Sequence, residues 1–445
     1  MTTDLSDLGQ PVDREILDLA VPALGGLAAS PLVSLVDTAF VGQLGSTQLG
    51  ALGVNASLFS MAFVVFNFLA YGTAPKVGRA VGEDAPRRAG RVVLNAGLIA
   101  LVAGSAATGA LLLLDGPILE LMGATCELRG PAATYLHIRA FAGPAVLLIN
   151  AGRGAFRGYQ DTRTPMFVTV GLSGLNLLLD PILIFGLGWG LAGAATATLV
   201  AQWCGAGAFV FLLLVHRREE LGIVVERPRL EELTSFLRVG WEMVLRTGAL
   251  VGTMTVATAV AARVGTTAVA AHQVAQQLWT FLALLVDALA VAAQALVSRY
   301  LGEGRPDEAR RVSDRLLQWG LAVGLALGAG FALLQPWLPA LFTDDPTTRQ
   351  AVSEIFVFVA GLQLLNGLVF VWDGIYMGAE AFNYLAKAML LSALGACALL
   401  LAVRPLGLGL RGVWWGITAL MALRFATLLV PYLRGRLFDD TDDSG

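Results

Sequence analysis

The chain has 445 residues, of which 56% are hydrophobic and only 14% carry a charge. A soluble domain carries about 25% charged residues, so this composition excludes an ordinary soluble protein and indicates a polytopic membrane protein. The formal net charge of -3, spread over both signs, gives no signature of polyanion binding, and no nucleic-acid partner is expected.

Apolar runs long enough to cross about 30 Å of hydrocarbon, roughly twenty residues each, recur along the whole chain. About twelve can be placed, near residues 15 to 41, 48 to 77, 91 to 114, 131 to 152, 165 to 186, 191 to 215, 236 to 262, 268 to 298, 312 to 335, 351 to 377, 386 to 403 and 411 to 433. The predicted fold class is therefore an all-α polytopic membrane protein with twelve transmembrane helices.

Arginine placement predicts the orientation of these spans. Arginines cluster in the connections after the second, fourth, sixth and eighth spans, whereas the intervening connections are short and poor in Lys and Arg. Cytoplasmic loops hold the excess of basic residues. Both termini are therefore expected on the cytoplasmic side of the cell (inner) membrane.

The chain also resembles itself at a shift of 220 residues. RAVGEDAPRRAGR at 79 to 91 aligns with RYLGEGRPDEARR at 299 to 311, and GAFRG at 154 to 158 overlays GIYMG at 374 to 378. This register predicts an N-lobe at 1–216 with spans one to six, a cytoplasmic linker at 217–235, and a C-lobe at 236–445 with spans seven to twelve and an acidic C-terminal tail. An even number of spans gives both halves one orientation, as in parallel transporter repeats with a substrate cavity between the halves.

Polar residues within the first-half spans fall at one depth. Asp37, in SLVDTAFVGQ, lies about a turn below the outer end of the first span, and Asp180 lies at a similar depth in the fifth. Asn176 precedes Asp180 by one turn and shares its helix face, while Thr196 and Thr198 lie at the same level of the sixth span. An ionised Asp in hydrocarbon costs roughly 2.5–3.5 kcal/mol, so such a residue is normally retained for function.

Two carboxylates in one partly dry pocket cannot both stay ionised at low cost, which favours a switchable proton or cation site. A hydroxyl and an amide oxygen would supply the uncharged ligands that Na⁺ needs.

Pro22 and Pro181 are expected helix-bending positions. The structural alternative is that Asp37 reaches the outer interface while the other polar groups make ordinary interhelical hydrogen bonds. Asn55, on the second span, is a secondary candidate for which a packing role is favoured.

The second half carries a different set of charges. Glu242, Arg246, Asp287 and Asp373 lie from mid-depth to the inner side, and the first two are spaced i, i+4, as in an internal ion pair. A structural or gating pair is favoured over a transported-ion site. In the repeat, Ala257 occupies the position equivalent to Asp37. The coupling site is therefore expected in the first half only.

Catalytic and metal-binding motifs are not found in the sequence. It contains no HExxH, P-loop or nucleophile elbow, and its three histidines are scattered. No enzyme activity, cofactor or structural metal is therefore expected.

Several motifs together resemble one known family. VDTAFVGQLG after the first span, RGYQDTRTP at 157 to 165, NLLLDPILIFGLGWGLAGAATAT at 176 to 198, and AAHQVAQQLW with DALAVAAQALVSRYLGEG in the second half are similar to the multidrug and toxic compound extrusion (MATE) family, most closely its DinF-like branch. The resemblance implies two six-helix lobes forming a V around a central cavity. It also implies export of amphiphilic, often cationic organic compounds in exchange for inward H⁺ or Na⁺.

The resemblance assigns a coupling pocket as well. In that branch the cation is placed among an Asp on the first helix, an Asn and an Asp four residues apart on the fifth, and a Thr on the sixth. These positions correspond to Asp37, Asn176, Asp180 and Thr198, and the implied bend of the first helix corresponds to Pro22.

The function expected is secondary active antiport coupled through the carboxylates of the N-lobe. The expected partners are small amphiphilic organic substrates and the lipid bilayer, and a monomer is expected. The nearest alternative is a flippase for lipid-linked precursors in the same superfamily, which would need a strongly basic cavity. A membrane-embedded enzyme would need clustered catalytic groups, and a scaffolding protein would leave the carboxylates without a purpose.

Overall fold

The computed structural model describes residues 9–124, 126–224, 230–341, 345–435 and 437–438. Its helices are α1 (Gly9–Gly42), α2 (Ser46–Val64), α3 (Phe68–Gly82), α4 (Pro86–Leu113), α5 (Asp115–Leu121), α6 (Cys126–Ala140), α7 (Gly143–Gly158), α8 (Arg163–Pro181), α9 (Gly190–Phe211), α10 (Leu230–Val264), α11 (Thr266–Gly302), α12 (Pro306–Leu334), α13 (Pro346–Gly378), α14 (Phe382–Ala402) and α15 (Gly409–Leu433). Part of the predicted linker, 225–229, and the acidic tail after residue 438 lie outside the described residues.

The number of spans agrees with the prediction. Eleven helical segments are long and apolar enough to cross a membrane, and a bent pair, Glu127–Ala140 with Gly143–Gly158, makes up to twelve. This pair bends by 48° just before Pro144, which cannot donate a backbone hydrogen bond to the preceding turn. The predicted all-α class is therefore confirmed for the part of the chain that the structure describes.

The two longest spans have 37 residues each, well beyond what an upright crossing requires. The second consists of α2 and α3 joined by a 3₁₀ turn at Val65–Asn67, and its counterpart α11 is continuous over 37 residues. At about 1.5 Å per residue, either is longer than the hydrocarbon core is thick, so tilt or extension into the interface is required.

The internal repeat extends to backbone detail. Pro86 and Pro306 stand in the first turn of α4 and α12, where a missing N–H costs nothing. The turns before them are left-handed at Asp84 (φ 51°) and Gly304 (φ 67°), which are 220 residues apart. The repeated motifs therefore encode the same helix–turn–helix connection twice.

Close helix packing is repeated too. A Cβ at Gly154 of α7 would lie 2.7 Å from the Ala70 carbonyl oxygen of α3, and one at Gly374 of α13 would overlap the Ala290 carbonyl oxygen of α11. Both positions therefore need glycine so that two helix backbones can meet, which accounts for the match between GAFRG and GIYMG.

The chain forms two compact units. The N-unit is Val21–Gly240, and the C-unit contains Trp241 onward together with the described residues of α1 up to Ala20. Within the C-unit, Asp13 of α1 accepts hydrogen bonds from Arg315 at 2.6 Å and from Trp319 at 2.9 Å. The lobe limits expected from the repeat, 1–216 and 236–445, stay predictions.

Candidate functional site

A polar cavity of about 250 Å³ lies within the N-unit. Helices α1, α2, α6, α8 and α9 each contribute to its wall. Its polar lining consists of Ser34, Asp37, Thr38, Tyr135, Arg139, Ser173, Asn176, Thr198 and Gln202. Three of the four residues selected from the sequence therefore line one cavity, although they come from three separate spans.

The fourth residue, Asp180, does not line the cavity itself but is a neighbour of Asp37, which does. It is fully buried, and its carboxyl group is within hydrogen-bonding reach of that of Asp37. No described residue donates to Asp37 Oδ1 or to either Asp180 oxygen. Two ionised carboxylates are both acceptors, so they can bond to each other only through a shared proton or a cation.

Neutral oxygen ligands are adjacent. Asn176 is 3% exposed, and its amide nitrogen has no acceptor among the described residues. The Thr198 hydroxyl donates to the Ala194 carbonyl at 3.0 Å, so its oxygen can still accept a donor or bind a cation. Asp37, Asp180, Asn176 and Thr198 are thus the residues that could hold Na⁺. Among the described residues, no group of three His, Cys, Asp or Glu is suited to a metal ion.

Two further residues of the cavity, Tyr135 and Arg139 of α6, were missed from the sequence. The Arg139 guanidinium lies 5.1 Å from the ring centre of Phe59 and beside the Tyr135 hydroxyl, and its charge acts on Asp37. The Tyr135 hydroxyl is within hydrogen-bonding reach of Thr198. An arginine inside the fourth apolar run was the available signal, since intramembrane charges mark functional positions.

The secondary candidates lie away from this lining. The Thr196 hydroxyl donates to the Ala192 carbonyl of its own helix at 2.7 Å. The amide of Asn55, which is fully buried, donates to the carbonyls of Ala51 at 2.9 Å and Ala132 at 3.0 Å. Asn55 thereby joins α2 to α6, which is the packing role favoured for it.

The two proline positions differ in local structure. Helix α1 runs without a break through Pro22, which borders a small second cavity of about 20 Å³. A Cβ at Gly25 would lie 2.9 Å from the Met166 sulfur, so α8 packs closely there. Pro181 ends the regular part of α8, and a π-helical turn, Ile182–Gly186, continues the span. Their role as bending points stays a prediction.

The charges of the C-unit pair differently from the prediction. The Glu242–Arg246 ion pair is wrong: Arg246 donates to Asp373 of α13 at 2.5 Å, and Glu242 accepts from Asn383 at 3.1 Å. Asp373 is buried, whereas Glu242 is only half-buried. A buried carboxylate requires a cationic partner more strongly than a half-buried one does.

Arg424 of α15, also missed from the sequence, donates to the same Asp373 oxygen and is 2% exposed. Its guanidinium lies over the ring of Phe370 at 5.5 Å, and the charge of Asp287 acts on it. Arg246 and Arg424 therefore form a buried network centred on Asp373, and Glu242 is not part of it.

The connection between α7 and α8 contains a separate ionic cluster. Asp161 accepts hydrogen bonds from the Thr164 amide at 2.9 Å and from Arg217 at 2.7 Å. Burial raises the pKa of Asp161, but the bonds from Thr164 and Arg217 outweigh it and hold that pKa below its usual range. The RGYQDTRTP motif thus forms a capped helix start.

Comparison with known families gives one match over most of the chain. The family model described as MatE matches residues 22–182 and 248–402.

Similar proteins occur in plants and bacteria. Protein DETOXIFICATION 44, chloroplastic, of Arabidopsis thaliana is 35% identical over 428 residues, covering 93% of this chain and 81% of that protein. DNA damage-inducible protein F of Escherichia coli (strain K12) is 28% identical over 433 residues, covering 95% and 92%. A solved structure described as "Crystal structure of MATE in the bent conformation" superposes with a TM-score of 0.88 at 24% identity, over 96% of this chain and 95% of that one, and supports the fold.

Proposed function

The chain belongs to the MatE family, and on that premise we propose that it exports small amphiphilic, often cationic organic compounds by antiport against H⁺ or Na⁺. Members of this family are transporters of the multidrug and toxic compound efflux type, so the protein is a transporter and not an enzyme. The resemblance drawn from the sequence motifs, including that to the DinF-like branch, is confirmed.

The observation that carries the coupling proposal is the juxtaposition of Asp37 and Asp180. Their carboxyl groups face each other, and three of their four oxygens are buried without a described donor. A buried carboxylate without a partner is costly. Entry of a proton or a cation between the two relieves that cost, so the loaded and the empty pocket differ strongly in free energy.

Coupling requires that the bound cation prefer one conformation. A ligand shifts a two-state equilibrium only through different affinities for the two states. Asp37 stands on α1 and Asp180 on α8, so a movement of α1 changes the distance between the two carboxyl groups and with it the affinity for the cation. We place the bend of α1 at Pro22, where the ring disfavours the helical hydrogen bond of a straight helix.

Cation loading from the outer side would then move α1 and expel the substrate. Asn176 and Thr198 would orient their oxygens toward a bound Na⁺, or toward the proton-sharing carboxyl pair. The arginine-rich connections support insertion in the cell (inner) membrane with both termini cytoplasmic. A monomer in the lipid bilayer is sufficient for this cycle, because the whole pocket lies within one unit of one chain.

The test is efflux of a fluorescent cationic dye from proteoliposomes under an imposed H⁺ or Na⁺ gradient. We expect gradient-driven efflux for the wild type and its loss in Asp37→Asn. Glu120→Gln, which removes an exposed carboxylate outside the pocket, is the matched control and should behave as the wild type. Equal driven efflux in all three proteins would reject coupling at Asp37. Absence of dye efflux together with movement of a lipid-linked precursor would favour the flippase alternative.

A further inference from the structure

We propose that Arg139 permanently supplies one of the two positive charges that the Asp37–Asp180 pair requires, so that the pocket takes up a single monovalent cation per transport cycle. This inference rests on the proposed antiport function and adds to it the residue that determines the coupling stoichiometry.

The first observation is the position of Arg139. It lines the same cavity as Asp37, and its Nη1 is buried with no acceptor among the described residues. The guanidinium lies over the Phe59 ring and within hydrogen-bonding reach of the Tyr135 hydroxyl. A guanidinium does not lose its proton in proteins, so this charge is present in every state of the cycle.

The second observation is the charge balance of the pocket. Among the described residues that line it, α1 contributes Asp37, and α6 contributes Arg139 with the neutral phenol of Tyr135. Asp180 of α8 adds a second carboxyl group beside that of Asp37. The α2 and α9 lining consists of uncharged side chains only. With both carboxylates ionised the pocket therefore carries two negative charges and one positive charge.

An uncompensated charge in a closed, partly dry pocket is strongly unfavourable. One bound cation makes this pocket neutral, and a second would leave it positive. Without the guanidinium, the same two carboxylates would need two bound cations to make the closed pocket neutral. Arg139 thus determines the coupling stoichiometry, that is, how many cations are exchanged per substrate molecule.

Equilibrium dye distribution measures this number. Proteoliposomes with the membrane potential clamped to zero are given a tenfold gradient of the coupling cation, and the dye ratio is read once net flux stops. One cation per dye molecule shifts the ratio about tenfold, and two shift it about a hundredfold, because each tenfold gradient contributes about 1.4 kcal/mol per ion. We expect about tenfold for the wild type and about a hundredfold for Arg139→Gln.

Two further variants separate charge from packing. Arg139→Lys keeps the charge and should retain the wild-type ratio. The double variant Asp37→Asn with Arg139→Gln has the same net pocket charge as the wild type, so it should regain gradient-driven efflux that Asp37→Asn alone has lost. If Arg139→Gln transports poorly, recovery in the double variant still supports the charge balance. A double variant no more coupled than Asp37→Asn would overturn it.

A hundredfold ratio in the wild type, or an unchanged tenfold ratio in Arg139→Gln, would also overturn the inference while leaving the antiport function intact. If wild-type vesicles show no driven efflux, the antiport proposal itself fails. Cation binding to the purified protein then decides the charge count. Arg139→Gln should bind one more cation than the wild type, and equal binding would reject the role assigned to Arg139.

Discussion

Asp37 of α1 and Asp180 of α8 hold their carboxyl groups within hydrogen-bonding reach of each other, inside a unit where no described residue donates to three of the four oxygens. Neighbouring helices usually place a donor opposite a buried acceptor. A pair of acceptors facing each other is therefore a site that a diffusible positive charge completes.

Asp180→Asn should uncouple transport while stabilising the fold. The amide can donate to Asp37, so the facing acceptors become an ordinary hydrogen bond, and removing an unsatisfied buried group contributes about 1–3 kcal/mol. We expect gradient-driven dye efflux near the leak rate and a higher midpoint of thermal unfolding in detergent. Thr196→Val, a change on α9 outside the cavity lining, should alter neither measurement by a comparable amount. A fully coupled Asp180→Asn protein would contradict the assignment.

In the buried network centred on Asp373, the loss of unfolding free energy should depend on how many ion pairs a substitution breaks. Asp373 accepts from both Arg246 and Arg424, so Asp373→Asn removes the carboxylate that the two guanidinium groups share, whereas Arg424→Gln leaves the Arg246–Asp373 ion pair intact. Breaking a buried pair costs about 3–5 kcal/mol. We expect the larger loss of unfolding free energy for Asp373→Asn, and a small change for Glu242→Gln. The reverse order of the two buried variants would show that Asp373 is not the centre of the network.

Much of this architecture follows from periodic features of the sequence. Apolar runs predict the spans because hydrocarbon thickness sets helix length. The 220-residue register predicts paired turns because Pro86 and Pro306 can stand only where no backbone donor is needed. The fixed rise per residue of a helix gives each residue a depth below the end of its span. This depth predicts that the polar residues of α1, α8 and α9 lie at one level of the membrane.

The wrong Glu242–Arg246 pair and the missed Arg139 also have physical causes. Arg246 stands one turn from Glu242, but the structure pairs it with Asp373, 127 residues away, and helical spacing carries no information about such a contact. Arg139 is not predicted, because the depth of the carboxylates does not indicate which helix supplies their counter-charge. The counter-charge of a buried acid is chosen by packing among helices, which a single sequence does not reveal.

Gly374→Ala should destabilise the protein, although alanine is the better helix former. A Cβ at this position would overlap the Ala290 carbonyl oxygen of α11, and forcing helices apart costs typically 1–3 kcal/mol. Gly361 of the same helix has nothing within 4 Å of a Cβ, so Gly361→Ala is the matched control. It should be neutral or stabilising by up to about 1 kcal/mol. Thermal unfolding of both purified variants is the measurement, and similar midpoints would show that the α11–α13 contact can relax.

The start of α8 should lose stability in acid through Asp161. The folded-state pKa of this carboxyl is lowered, chiefly because the Thr164 and Arg217 hydrogen bonds outweigh burial, so its contribution is present above the unfolded value of about 3.9. That contribution is lost as the pH falls from there through the folded pKa. Asp161→Asn keeps an oxygen that can accept from the Thr164 amide but loses the charge that pairs with Arg217. It should therefore remove about 1 kcal/mol at neutral pH and little at low pH.

Hydrogen exchange of the α8 amides at several pH values measures this difference. The wild type and Asp161→Asn should converge as the pH falls below the unfolded pKa, because the wild-type carboxyl becomes protonated and no longer pairs with Arg217. Thr164→Ala keeps the carboxylate but removes one of its donors, so its protection should lie between the two and still depend on pH. A constant gap between wild type and Asp161→Asn across the whole range would mean that the carboxyl stabilises α8 through packing and not through its charge.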